Sequence, residues 1–179
     1  MKQIDTRYNE AVQQIKSAIL QSQLEAVKAV NRQMLALYYG IGKYVSDNTR
    51  TGAWGTGAIE TISEQLRREL PGLRGFSPAS IKKMRIFYEQ WSKLINRSPM
   101  ANDLQTSEKQ DVLQANELLS VNRSPLANDL DWHEFMSLSF SHHYEILAKT
   151  ETLEERAFYI HQAATLRWDK YTLRNNLKA

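Results

Sequence analysis

Apolar residues return every three or four positions along this chain and never settle into the two-residue alternation of a strand, so the pattern predicts helices throughout. Between Leu20 and Val45 the spacing alternates four and three, giving a seam of Leu20, Leu24, Val27, Met34, Tyr38, Ile41 and Val45. Asn31 interrupts that seam. A polar Asn there either fixes the register of a coiled-coil pair, which would make the 20–45 helix a homodimer interface, or marks the margin of a long core helix's buried face. Seven glycines and four prolines cluster at Gly40 to Gly57, Pro71 to Pro78, and around Pro99 and Pro125, so helices are expected in the intervals.

A second helix is expected from Ala58 to Leu70, with Ile59, Ile62, Leu66 and Leu70 on one face and Pro71 as its stop. The next starts where Ser77 caps the free amides and Pro78 takes the first helical position. Its buried stripe is Ile81, Met84, Tyr88, Trp91 and Ile95, with Phe87 at least partly buried, while Lys82, Arg85, Glu89 and Lys93 fall on the other side. Dense helical signals resume near Asp131 and carry Trp132, Phe135, Met136, Phe140, Ile146 and Leu147. Thr152 with Glu155 makes a capping box for a helix that buries Leu153, Ala157, Ile160 and Ala164, and Asp169 caps a short last helix, Lys170 to Leu177.

The expected fold is therefore all-α: a multi-helix domain with a long N-terminal helix and a helix-turn-helix-like unit, both within residues 1–95. Residues 96–130 form a variable connector, and 131–179 a C-terminal helical unit packed on the first. The connector holds an internal repeat, NRSPMANDL at 96–104 returning as NRSPLANDL at 122–130 with Met100 and Leu126 differing. Each copy reads as a helix start, Ser98 or Ser124 before Pro99 or Pro125. It is either a duplicated docking motif or a local duplication in a tolerant polar linker.

Composition narrows the function classes. With 42% apolar residues over 179 positions the chain can bury a core of its own. The absence of cysteine excludes disulfides, thiolate zinc sites and a cysteine nucleophile, and fits a reducing compartment. The first twenty residues lack a signal peptide's apolar core, and no stretch reaches the roughly 18 apolar residues of a membrane span. A cytoplasmic location without a membrane partner is expected. The net charge of +3 is mild, but its distribution is not. Arg67 to Arg97 holds eight bases against Glu69 and Glu89, a local +6 that leaves the remainder net acidic.

Familiar catalytic chemistry is missing. The chain has no Gly-rich phosphate loop ending in Lys and Ser or Thr, and no G-x-S-x-G elbow. Of the four histidines, His133, His142, His143 and His161, two are adjacent, but neighbouring helical side chains diverge by about 100° and cannot easily share one ion. Polar contacts within a helical core are the alternative for them. Glu154 and Glu155 sit at a helix start, where the helix dipole accounts for them. No catalytic centre, cofactor or small-molecule substrate is expected.

Longer stretches carry a family signature. LYYGIGKYVSD, then GAWGTGAIETISEQLRRELPGLRGFSPASIKKMRIFYEQW, then LSFSHHYEILAKTETLEERAFYIHQAA with a following Trp168, together resemble the YhcG N-terminal domain family over all but the connector. The most specific parts are Trp54-Gly55, the approach to Gly75-Phe76-Ser77, Met84-Arg85-x-Phe87-Tyr88, Ser141-His142-His143, and Glu155-Arg156-Ala157-Phe158-Tyr159. One departure is Arg167-Trp168-Asp169, where the family commonly has Gly-Trp-Ser; Asp still serves as a cap. The resemblance implies a bacterial helical domain that usually precedes a PD-(D/E)XK nuclease domain and binds DNA or a partner. The nuclease's own Asp/Glu-x-Lys triplet occurs nowhere in this sequence, so the chemistry would belong to a following domain.

Two binding classes follow. Duplex DNA would be held by the unit from Ala58 to Ile95, with Ser80, Lys82, Lys83, Arg85 and Lys93 on the recognition helix and Arg67, Arg68 and Arg74 on phosphates. Its turn, residues 71–77, exceeds the roughly three or four residues of a simple helix-turn-helix, so an elaborated arrangement is needed; a basic, solvent-facing hairpin is the alternative. A second candidate is the terminal unit with Arg167, Lys170, Arg174 and Lys178, read as support or hinge. The rival class is a protein-interaction or dimerisation module without DNA contact, suggested by the Asn31 seam and by Tyr38, Tyr39, Tyr44, Trp54 and Trp91.

Overall fold

A computed structural model describes residues 6–95 and 130–177. Among them are seven helices and no strand: α1 (Thr6–Arg50), α2 (Ala58–Glu69), α3 (Pro78–Ile95), α4 (Trp132–Ser137), α5 (Phe140–Lys149), α6 (Leu153–Thr165) and α7 (Lys170–Asn176). The fold is all-α, as its periodicity demands. The repeat apart from Leu130, together with Arg97, Lys178 and the side chain of Ile95, lies outside the described residues.

With 45 residues, α1 extends about 67 Å at roughly 1.5 Å per residue. Only its C-terminal half is packed. There Tyr39, Gly42 and Val45 meet Phe87 and Tyr88, Met84, and Ile81 in turn, so α1 and α3 run antiparallel. Gly42 sets their separation: a Cβ on it would stand 2.1 Å from the Met84 carbonyl oxygen. No other residue fits so close a backbone approach.

Leu35, Ala36 and Tyr39 of α1 join Phe87 and Trp91 of α3 in a core that α4 to α7 close with Phe135, Met136, Ile146, Ile160, Ala163 and Leu173. A smaller cluster of Val45, Ile59 and Ile81, flanked by Trp54 and Leu66, fastens α2. Local signals end the helices where expected. Ser77 Oγ accepts from the Ser80 amide at 3.2 Å, and Asp131 accepts from His133 and Glu134. The Thr152–Glu155 capping box is complete, and Asp169 accepts from the Thr172 amide at 2.8 Å.

Four expectations need correction. Leu20, Leu24 and Val27 are 46–67% exposed, because no element among the described residues covers that part of α1; the buried positions are Leu35, Ala36, Tyr39 and Val45. Asn31 is not among them: it lies part-buried at the margin of the packed face, as expected of a core helix, and donates both amide hydrogens to the Met136 and Leu138 carbonyls, each at 2.9 Å. Gly40 and Gly42 lie inside α1, where close packing rather than a turn requires Gly42. Leu70 lies past the end of α2 and is exposed, and in α6 the fully buried positions are Ile160 and Ala163 while Leu153, Ala157 and Ala164 are only partly covered.

Candidate nucleic-acid interface

The bases of the central stretch do not share one surface. Successive helical residues are rotated by about 100°, and on α3 this sends Lys82, Lys83 and Arg85 to three different neighbours. Lys82 reaches α2, where its ammonium lies 2.7 Å from a Glu60 oxygen. Lys83 reaches α5 and rests 4.4 Å above the Tyr144 ring centroid. Arg85 turns to α1, with Nη1 3.4 Å from Thr49 Oγ1 and Nε 3.7 Å from Glu89. Glu89 also accepts two bonds from Arg50 at 3.0 Å and one from Ser46 at 2.9 Å, and the Arg50 guanidinium holds its carboxyl below the usual carboxylate range. Arg85 is thus part of an α1–α3 tie and half-buried.

Ser80 is likewise engaged, its hydroxyl 2.9 Å from that of Ser77. What faces outward is Arg67 and Arg68 in the last turn of α2, Arg74 in the following turn, and Lys82 and Lys93 on α3. Lys82 and Lys93 are eleven positions apart, about three helical turns, and share the exposed side of α3 with Ala79 and Ile86. Arg67 and Arg74 make no hydrogen bond or ion pair among the described residues. Arg68 pairs with Glu64 one helical turn before it, and that pair and the Lys82–Glu60 pair are both solvent-exposed. Exposed pairs contribute about 0–1 kcal/mol, so a phosphate can displace either carboxylate.

The turn joining the two helices is built by backbone permission and one tether. Gly72 and Gly75 adopt φ of 88° and 90°, which side chains rarely tolerate, and Ser63 of α2 donates to the Phe76 carbonyl at 2.8 Å. This is the elaborated connection that the seven-residue turn called for.

The terminal unit contributes less. Arg174 is held in a bidentate pair with Glu145, Lys170 lies 3.9 Å from the same carboxylate, and Arg167 is exposed at φ 51°. Three of the four histidines make side-chain polar contacts. His142 accepts from Ser139 Oγ and donates to the Trp168 carbonyl, His143 donates to the Phe135 carbonyl at 2.9 Å, and His161 meets Glu134. No group of three metal-ligating side chains is placed to hold an ion among the described residues, and no described helix is long and apolar enough to cross a membrane.

One grouping was not foreseen. Ser80 and Lys83 turn away from α2 and line a cleft with Tyr38, Ser141, Glu145 and Lys170, from positions up to 132 residues apart. The Ser141-His142-His143 block was the only signal of it, since nothing local links residue 38 to residue 170.

Geometry and motifs together define an all-helical domain whose α2–α3 unit carries outward bases and whose α1 carries an exposed apolar stretch. By family, the chain belongs to the DUF1016 N-terminal domain, which matches residues 14–179 and is the YhcG N-terminal family its motifs resemble. No curated protein and no solved structure matches it.

Proposed function

We propose that this domain is a non-catalytic DNA-binding module that grips duplex phosphates through the end of α2, the turn and the outer side of α3. The observation that carries this reading is the set Arg67, Arg68, Arg74 and Lys82, four outward bases on one helix–turn–helix unit, two of them with no protein partner among the described residues. Lys93 extends the set along the same side of α3. A cytoplasmic setting and a nuclease domain as the functional companion belong to the same proposal. Four phosphate contacts give log K a slope near −3.6 against log salt, so duplex affinity should fall about 10²-fold from 50 to 200 mM salt. Binding that ignores salt, or none at all, would overturn the reading.

A second reading is favoured by α1. Val12, Ile15, Ile19, Leu20, Leu24, Val27 and Val30 are all 46–67% exposed, an apolar surface that monomeric proteins seldom leave open. Residues 35–45 are occupied by the chain's own core, so a protein contact would use 12–30 instead. Light scattering on Ile15→Asp, Ile19→Asp and Val27→Asp variants tests it: an unchanged mass and unchanged partner capture would remove this reading.

A further inference from the structure

The cleft behind the proposed DNA face has its own chemistry. It encloses about 250 Å³ between α1, the turn before α3, α3 itself and the starts of α5 and α7. That is smaller than the roughly 300–1,000 Å³ of a cofactor or drug pocket, and equals about eight water volumes at roughly 30 Å³ each. A small polar group fits it; a helix or a whole cofactor does not.

Its charge selects the sign of that group. The one carboxylate in the lining, Glu145, is matched by the bidentate Arg174 guanidinium. Lys83 and Lys170 then leave two positive charges without a full counterpart. The Lys83 ammonium lies over the Tyr144 ring, a contact that uses none of its three donors for an acceptor lone pair, and it is in ion-pair contact with no carboxylate among the described residues. Lys170 stands 3.9 Å from Glu145, at the limit of an ion pair.

Neutral donors converge on the same space. Tyr38 and Ser141 bring hydroxyls that are hydrogen-bonded to nothing among the described residues, and Ser80 brings a third that also bonds the Ser77 hydroxyl. Burial raises the Tyr38 pKa, which keeps that hydroxyl a donor. Ser141 stands in the first turn of α5, whose cap residue Ser139 makes no side-chain cap bond because its hydroxyl is taken by His142. The His142 and His143 amides turn back to the Ser139 carbonyl, which leaves those of Phe140 and Ser141 as the first-turn donors without a cap. Met84 and Phe140 complete the walls.

We propose that this cleft binds a phosphomonoester: a compact, dianionic, acceptor-only group, from the end of a nucleic-acid strand or from a free nucleotide. Two uncompensated ammonium groups match its charge, and the hydroxyl donors match its oxygens. The site does not depend on the duplex-binding face, because Lys83 is rotated about 100° from Lys82 and reaches Tyr144 rather than Glu60.

Amide-resolved NMR titration of the chain tests it, first with inorganic phosphate and deoxyadenosine 5′-monophosphate, then with a short single strand bearing either a 5′-phosphate or a 5′-hydroxyl. Saturable shifts at Ser141, Lys83 and Lys170 are expected. Lys83→Gln and Lys170→Gln should each weaken mononucleotide binding, read at the Ser141 amide, about tenfold or more, whereas Lys82→Gln, one residue away, should leave that mononucleotide affinity unchanged. Affinity should also decline as pH falls through about 6, where the phosphate loses its second charge. Tighter binding of the phosphorylated strand than of the mononucleotide assigns the strand end, and equal binding assigns the free nucleotide. Absence of shifts at these residues, or equal loss in the Lys82 and Lys83 variants, overturns the proposal.

Discussion

His143 offers a sharp test of how the core is built. Its ring is fully buried at the junction of α3, α4 and α5, with centroids 5.5 Å from Phe87, 5.7 Å from Trp91 and 4.2 Å from Phe135. Nε2 carries the proton that bonds the Phe135 carbonyl, and buried Nδ1 has no partner. A second proton would place an unpaired charge in this apolar site, so burial pushes the pKa from an ordinary 6.5 down to about 3. The unfolded chain takes that proton near 6.5 and the folded chain does not until about 3. This contribution to stability is complete above 6.5 and lost as pH falls toward 3, at about 1.4 kcal/mol per pH unit. Between pH 7.5 and 5 the loss amounts to about 2 kcal/mol. Glu89 and Glu145 have lowered pKa values, each chiefly through an arginine partner, and so act only below the ordinary carboxylate range, outside this window. Urea unfolding at both pH values should show wild type losing about 2 kcal/mol more than His143→Gln, whatever that variant's stability at pH 7.5. The other three histidines are common to both proteins and cancel. Equal losses would refute a neutral, desolvated His143.

Three further outcomes follow from the packing. Gly42→Ala places a methyl 2.1 Å from the Met84 oxygen and 2.9 Å from Tyr88 Cβ, forcing α1 and α3 apart; it should cost about 1–3 kcal/mol or more in urea unfolding. Gly55→Ala, with nothing within 4 Å, should stay within about 0.5 kcal/mol. Asn31→Ala should cost about 1–2 kcal/mol, and Asn31→Asp more, because it sets acceptors against the Met136 and Leu138 carbonyls; unchanged stability with altered mass in light scattering would restore a coiled-coil register role. Arg167→Gly, at φ 51° where the family commonly has Gly, should raise the unfolding midpoint by the equivalent of about 1 kcal/mol.

What was legible in the sequence was what is local. The caps at Ser77, Thr152 and Asp169 each join groups three residues apart, so residue identity decided them. The buried stripe of α3 was legible because all its sides but one are packed. The N-terminal half of α1 misled for a physical reason: periodicity shows which side of a helix is apolar, not whether anything covers it. Leu24 and Val45 share one seam, yet one is 46% exposed and the other 3%. The basic stretch was legible only as a count. A charge count along α3 carries no direction, and the rotation between Lys82, Lys83 and Arg85 assigns one to the outer face, one to a cleft and one to a buried tie. The cleft itself joins Tyr38, Lys83, Ser141 and Lys170, contacts that only tertiary packing creates.

The fold divides the bases into an outward set, proposed to face phosphates, and an inward set. Fluorescence anisotropy on a duplex without terminal phosphates, across a salt series, compares two charge-matched double variants: Arg67→Gln with Arg74→Gln, and Lys83→Gln with Arg85→Gln. The outward pair should weaken binding and reduce the magnitude of the salt slope by about 2, with the inward pair leaving the slope at the wild-type value. Loss of slope in the inward pair, with the outward pair binding like wild type, would contradict it.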